Sequence, residues 1–162
     1  MQANIRVYLA HIPLDLHQAY GNNLALADLI RLENLESFSE YDGIKIGFKG
    51  SLPAISSEKL GQVLEQKLDS QVKVIGKGDV KTVGLVTGGA ADIVRQAIQE
   101  GLDCYITGEG ANHHFHEATE GNCILIFAGH YATETGGVKS VGKHLKEKFD
   151  IDSEFLNYPT GL

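Results

Sequence analysis

Apolar and polar positions change their period along this chain, and each change marks an element. Ile5-Arg6-Val7-Tyr8-Leu9-Ala10 alternates and is partly β-branched, which predicts a strand. His11 to Tyr20 contains Pro13 and runs into Gly21, the pattern of a rigid strand-end loop. Asn22 or Asn23 then caps a helix carrying Leu24, Ala27, Leu29, Ile30 and Leu32. Ile44 to Phe48 alternates as a short strand. Beyond Pro53, Ser56 or Ser57 caps a helix with Leu60, Val63, Leu64 and Leu68 on one face. Val72 to Ile75 predicts another strand, and Gly76 to Asp79 a turn.

The second half is more regular. Val83 to Val86 leads through Thr87-Gly88-Gly89 into a helix stopped by Gly101. Cys104 to Ile106 leads through Thr107-Gly108-Glu109 into a helix stopped by Gly121. Cys123 to Phe127 leads through Ala128-Gly129-His130 into a helix through Val138, Val141, Leu145 and Phe149, and Phe155 to Tyr158 reads as a last short strand. Thr87, Gly88, Ala91, Glu100 and Gly101 recur 20 positions later as Thr107, Gly108, Ala111, Glu120 and Gly121. Repeated strand-turn-helix units predict an α/β fold on a mostly parallel or mixed sheet. The expected organisation is one compact unit over 1–162, divisible into lobes of about 1–40 with 123–162, and 41–122. Ligands of such sheets collect beyond the carboxyl ends of the strands. His11, Thr87, Thr107 and His130 all fall at predicted strand ends.

Composition narrows the function. With 162 residues and a net charge of -7, the chain disfavours polyanionic partners, so no nucleic acid is expected. Lys139, Lys143, Lys146 and Lys148 alternate with apolar residues, as on a solvated helix face. No apolar run is long enough to cross a bilayer, so no membrane partner is expected. The first residues lack the charge and apolar pattern of a secretion signal, and the expected location is cytoplasmic. Cys104 and Cys123 form no Cys-x-x-Cys pair and read as buried free thiols.

Four groups of residues carry candidate chemistry. His130 and Glu134 are spaced i, i+4, so a helix starting by His130 turns both toward one cation. The same spacing serves a helix-start His with a Glu favoured by the helix dipole. Asp15, in the His11-Ile-Pro-Leu-Asp15 segment, is either a metal ligand on a rigid loop or an Asx-turn residue. In His113-His114-Phe115-His116, adjacent helical histidines point about 100° apart, so His113 and His116 share a face better. These histidines read as cleft or interface residues, with one of them near the chemistry. Thr87-Gly88-Gly89 is a tight strand-helix joint or an anion-holding turn.

Ala10-His-Ile-Pro-Leu-Asp15 followed by Gly21-Asn-Asn-Leu-Ala-Leu-Ala27 resembles a block of the NGG-interacting-factor-like proteins, known as GTP cyclohydrolase I type 2 homologs. Val86-Thr-Gly-Gly-Ala90, Tyr105-Ile-Thr-Gly-Glu109 with His113, and Gly129-His-Tyr-Ala-Thr-Glu-Thr-Gly-Gly137 resemble further blocks in the same order. The resemblance covers essentially the whole chain. It implies a homohexamer with paired divalent metals, of which Zn, Mn, Fe, Co and Ni all suit His and carboxylate ligands. It assigns Asp15, His130 and a bridging Glu134 as ligands. The family's His-His pair lies upstream of the His-x-Pro-Leu-Asp block, so the expectation is that this sequence is the C-terminal portion of a member. Paired ions lower the pKa of bound water and clamp an oxyanion. The implied activity is metal-dependent hydrolysis of a nucleotide-like or phosphorylated small molecule, with His11 and His113 as proton carriers; the competing expectation is a non-catalytic metal-binding scaffold.

Overall fold

A computed structural model describes residues 4–159. Its centre is a six-stranded mixed sheet, built from β1 (Glu33–Tyr41), β2 (Ile44–Ser56), β3 (Lys73–Ile75), β4 (Asp79–Leu85), β5 (Cys104–Thr107) and β6 (Ile124–Phe127), in the order β1-β2-β4-β5-β6-β3. β4, β5 and β6 run parallel, while β1, β2 and β3 pair antiparallel with their neighbours. Strands from both expected lobes therefore pair within one sheet.

Period-two alternation divides the strands between two cores. Val83, Leu85, Cys104, Ile106, Ile124 and Ile126 face α2 (Asn22–Leu29) and α3 (Ser57–Leu68). Phe38, Tyr105 and Leu125 belong to the opposite core, with Val94 and Ala97 of α4 (Val94–Gln99) and Ala118 of α5 (His113–Glu120). The result is helix, sheet, helix in three layers. Ser56 caps α3 by accepting from the Lys59 amide, as its sequence predicts. Cys104 and Cys123 are buried free thiols. Among the described residues, no helix is long and apolar enough to cross a membrane.

Several expectations fail for identifiable reasons. Residues 5–9 form no strand; Ile5, Val7, Tyr8 and Leu9 are exposed and pair with nothing described. The expected loop is in part a short helix, α1 (His11–Asp15). Pro13 sits in its first turn, where an amide proton has no intrahelical acceptor to lose. Neither Asn22 nor Asn23 caps α2; Gly21 stands at that position. The short strand at Ile44 extends to Ser56, and its register shifts between Ser51 and Ile55, so Pro53 falls at an irregularity that spares a ladder hydrogen bond. Residues 155–158 are not a strand either. They lie along the C-terminal helices, where Tyr131 Oη donates to Asn157 Oδ1 at 3.0 Å and accepts from the Tyr158 amide at 2.8 Å.

Candidate metal centre

The carboxyl ends of β4, β5 and β6 are stitched into one surface. The Gly108 amide donates to Gly88 O at 2.8 Å, and the Gly129 amide to Gly108 O at 2.9 Å. Thr107 Oγ1 donates to Gly88 O and accepts from the Ala90 amide, at 3.0 and 3.3 Å. Thr133 Oγ1 accepts from the Gly88 amide at 3.1 Å. Of the four residues expected at strand ends, Thr107 and the turns that bear Thr87 and His130 meet in this hydrogen-bonded seam, while His11 stands on a helix, α1 (His11–Asp15).

His130 stands on this seam. Gly129, at φ +91, turns the chain out of β6 into α6 (His130–Thr133), and Glu134 joins α6 to α7 (Thr135–Phe149). The helix begins at His130, so the i, i+4 geometry is realised: His130 Nε2 is 3.4 Å from Glu134 Oε1. The other ring nitrogen, Nδ1, is 2.8 Å from Glu109 Oε1. Gly88, at φ +72, lies directly beneath the pair; an added Cβ would overlap Glu134 Oε1 and approach His130 Nε2 to 3.2 Å. Only a glycine permits both the left-handed backbone and the close approach there.

Asp15 reaches the same region from α1. Its Oδ1 accepts from Asn22 Nδ2 at 2.7 Å, and its carbonyl accepts from Asn23 Nδ2 at 3.0 Å. Asn22 Oδ1 in turn accepts from the Gly137 amide, and Asn23 bonds Ile46 O and the Thr87 amide. These two buried amides tie α1, α2, β2, the turn after β4 and α7 together around the site. Gly136 and Gly137 allow the close approach: a Cβ on either would strike Ala25 or Asn22.

The electrostatics gather carboxylates around His130. The hydrogen bond to Glu109 raises the His130 pKa against burial, with Glu134 and Asp15 adding to the rise. Burial holds the Glu134 carboxyl above the usual range; Asp15 and Glu109 push the same way, while His130 and His11 oppose. Asp15, Glu109 and Glu134 crowd their negative charge around one imidazole. Nitrogen and carboxylate donors of this kind suit a borderline divalent cation.

His113 is grouped differently. With His114 it faces Asp92, and the ligand atoms of Asp92, His113 and His114 all lie within 4.8 Å of one another. Among the described residues this is the one such group of three that could hold a metal ion; Asp15, His130 and Glu134 are gathered more loosely. The expected sharing of a face by His113 and His116 is replaced by the packing of His113 on His114, with ring centroids 3.9 Å apart. His116 instead lines, with Phe115, Phe127, Glu109 and His130, a cleft of about 1030 Å³ beside the seam. Glu109 and Asp92 were not singled out by sequence as site residues, and His114 entered only as a member of the histidine tract. The available signal for Glu109 and Asp92 was an acidic residue just past a strand-end turn.

Known proteins agree with this architecture. The family model Duf34/NIF3 (NGG1p interacting factor 3) matches residues 1–160. A Deinococcus radiodurans protein named GTP cyclohydrolase 1 type 2 homolog is 37% identical over 165 residues, covering 100% of this chain and 63% of its own length. An Archaeoglobus fulgidus protein of the same name is 36% identical, covering 100% of this chain and 65% of its own. The chain therefore spans somewhat less than two thirds of these relatives. A crystal structure from Thermus thermophilus superposes with a TM-score of 0.86 at 35% identity, covering 99% of this chain and 64% of that one. The protein ybgI, of unknown function, gives a TM-score of 0.87 at 30% identity, over 94% of this chain and 62% of its own. Matched over essentially its whole length, and sharing the fold of those relatives, this chain belongs to the Duf34/NIF3 family.

Proposed function

We propose that His130, Glu134 and Asp15 hold divalent metal in a centre that hydrolyses a nucleotide-like or phosphorylated small molecule. The observation that carries this reading is His130 flanked by Glu134 and Glu109 on the carboxyl edge of parallel strands, with Asp15 and His11 acting on the same pocket. A divalent cation bound there supplies Lewis acidity and neutralises an anionic substrate group. The chain's own residues do the rest. Glu109 orients the His130 ring through Nδ1, leaving Nε2 toward Glu134. Asn22 fixes the Asp15 carboxylate. The cleft walled by Phe115, Phe127 and His116 receives the substrate's planar part, and His11, rather than His113, moves a proton at the leaving oxygen.

The test is metal analysis of protein purified without chelator, beside a panel of nucleotides and phosphoesters. Zn, Mn, Fe, Co or Ni is expected in the wild type, and its content falls on Glu134→Ala. Unchanged metal content in that variant refutes the ligand assignment. Metal without turnover of any panel member favours a binding scaffold over a hydrolase.

A further inference from the structure

A second arrangement of imidazole and carboxylate lies one strand-helix unit upstream of His130. Asp92 leaves the turn after β4, and His113 and His114 open α5. His114 Nε2 is 3.2 Å, and His113 Nε2 3.9 Å, from the same oxygen, Asp92 Oδ1. The group borders a small cleft of about 180 Å³, with Gly89, Gly110 and Glu109 on the other walls.

Three features set this group apart from a chance surface cluster. His114 is buried, and its Nδ1 edge is fixed against Ala111, 2.9 Å from the amide nitrogen and 3.1 Å from the carbonyl oxygen. The Ala111 amide donates to Nδ1, so the ring proton sits on Nε2 and is donated to Asp92 Oδ1; a cation bound at Nε2 takes the place of that proton between ring and carboxylate. Second, the His113 and His114 rings pack together and turn both Nε2 atoms to one point, although adjacent helical side chains ordinarily diverge. Third, Glu117, four residues after His113 on the same helix face, pairs one oxygen with Arg95, while its Oε2 is buried with no partner. The cluster thus carries carboxylates at Asp92 and Glu117 against the single guanidinium of Arg95.

We infer that Asp92, His113 and His114 form a second, mononuclear site for a borderline divalent cation, separate from the centre at His130. Two imidazole nitrogens and one carboxylate oxygen select Zn, Co, Ni or Cu over Mg and Ca. Three protein ligands, two of them exposed, leave a coordination position open to a small oxygen ligand from solvent. The site shares no proposed ligand with Asp15, His130 and Glu134, so either can stand without the other.

The experiment is calorimetric titration of the chelator-stripped full chain with Zn²⁺, paralleled by Co²⁺ absorption spectra, on the wild type and on His113→Ala, Asp92→Ala and Glu134→Gln. His113 and Asp92 are exposed, so their truncation leaves the fold intact, which circular dichroism verifies. Each of these two variants is expected to weaken one class of Zn²⁺ site by roughly ten-fold or more and to remove its cobalt d–d bands. Glu134→Gln retains that class, and Mg²⁺ does not fill it. If His113→Ala and Asp92→Ala bind Zn²⁺ as the wild type does, or if the wild type shows only sites sensitive to Glu134→Gln, the His114–Asp92 contact is an ordinary hydrogen bond and the inference fails. Absence of any Glu134-sensitive class from the wild type, with the other class intact, refutes only the proposed hydrolytic centre.

Discussion

Single residues with unusual constraints shape the proposed centre. Gly88 and Gly43 both have left-handed backbones, at φ +72 and +78, but only Gly88 has neighbours where a Cβ would stand. Alanine at either position carries a backbone penalty of about 1–3 kcal/mol. Gly88→Ala must in addition displace Glu134 from His130. We therefore expect both variants to lower the thermal midpoint, and Gly88→Ala alone to weaken divalent-cation binding, by about ten-fold or more. Calorimetric titration of the pair decides the matter; equal affinities would deny Gly88 any part in shaping the site. Asn23 is constrained differently. Its buried amide donates to Asp15 O and Ile46 O and accepts from the Thr87 amide. Asn23→Ala strands these groups and is expected to cost about 2–5 kcal/mol in urea unfolding. A cost below 1 kcal/mol would mean that water or a local shift replaces these bonds.

At the scale of elements, legibility followed burial. β5, β6 and the second half of β4 are short runs of almost wholly buried residues ahead of glycine turns, and the sequence showed them; the half-exposed start of β4, from Asp79, it did not. β1 was invisible, because Phe38 and Ser39 are the two buried positions in its nine residues and no apolar alternation marks it. Residues 5–9 show the opposite case: strand-like alternation without a partner in the described sheet. The i, i+4 pairing of His130 with Glu134 was readable because the spacing lies within one helix. Glu109 and Asp92 reach His130 and His114 across sheet neighbours, 21 and 22 residues away, a contact that strand order creates and local pattern does not encode. The joint between β4 and β5 makes a further prediction. Burial alone would raise the Asp103 pKa, but the Thr82 and Lys81 amides and the Thr82 hydroxyl donate to Oδ2 and bring it below 3.8. With the native pKa depressed, the unfolded chain binds more protons near pH 4. This contribution to stability is present above the unfolded pKa and is lost as pH falls through the native one. Asp103→Ala should lower stability at neutral pH and flatten the acid limb of unfolding free energy below about pH 4. An acid limb as steep as that of the wild type would exclude Asp103 as its source.

The whole molecule places one free thiol in each core. Cys104 belongs to the layer under α2 and α3, Cys123 to the layer under α4 and α5, and they open adjacent strands in the centre of the sheet. Burial raises the pKa of both, that of Cys123 to about 11, so neither is a thiolate at neutral pH, and both are sterically shielded. Alkylation must then wait for opening of the surrounding structure. Because the layers share one sheet and the seam of turns beyond β4, β5 and β6 is continuous, the two thiols should become reactive together. Mass-resolved labelling across a urea gradient is expected to give coincident transitions for Cys104 and Cys123. A cation that binds only the folded chain multiplies protection of both by 1 + [L]/Kd, since its ligands come from segments that only the folded sheet brings together. Earlier labelling of Cys123 would instead show the α4–α5 layer, which carries Asp92, His113 and His114, opening by itself. In that event Zn²⁺ would protect Cys123 more than Cys104, and the contact between α4 and α5, rather than the sheet, would limit occupancy of the second site.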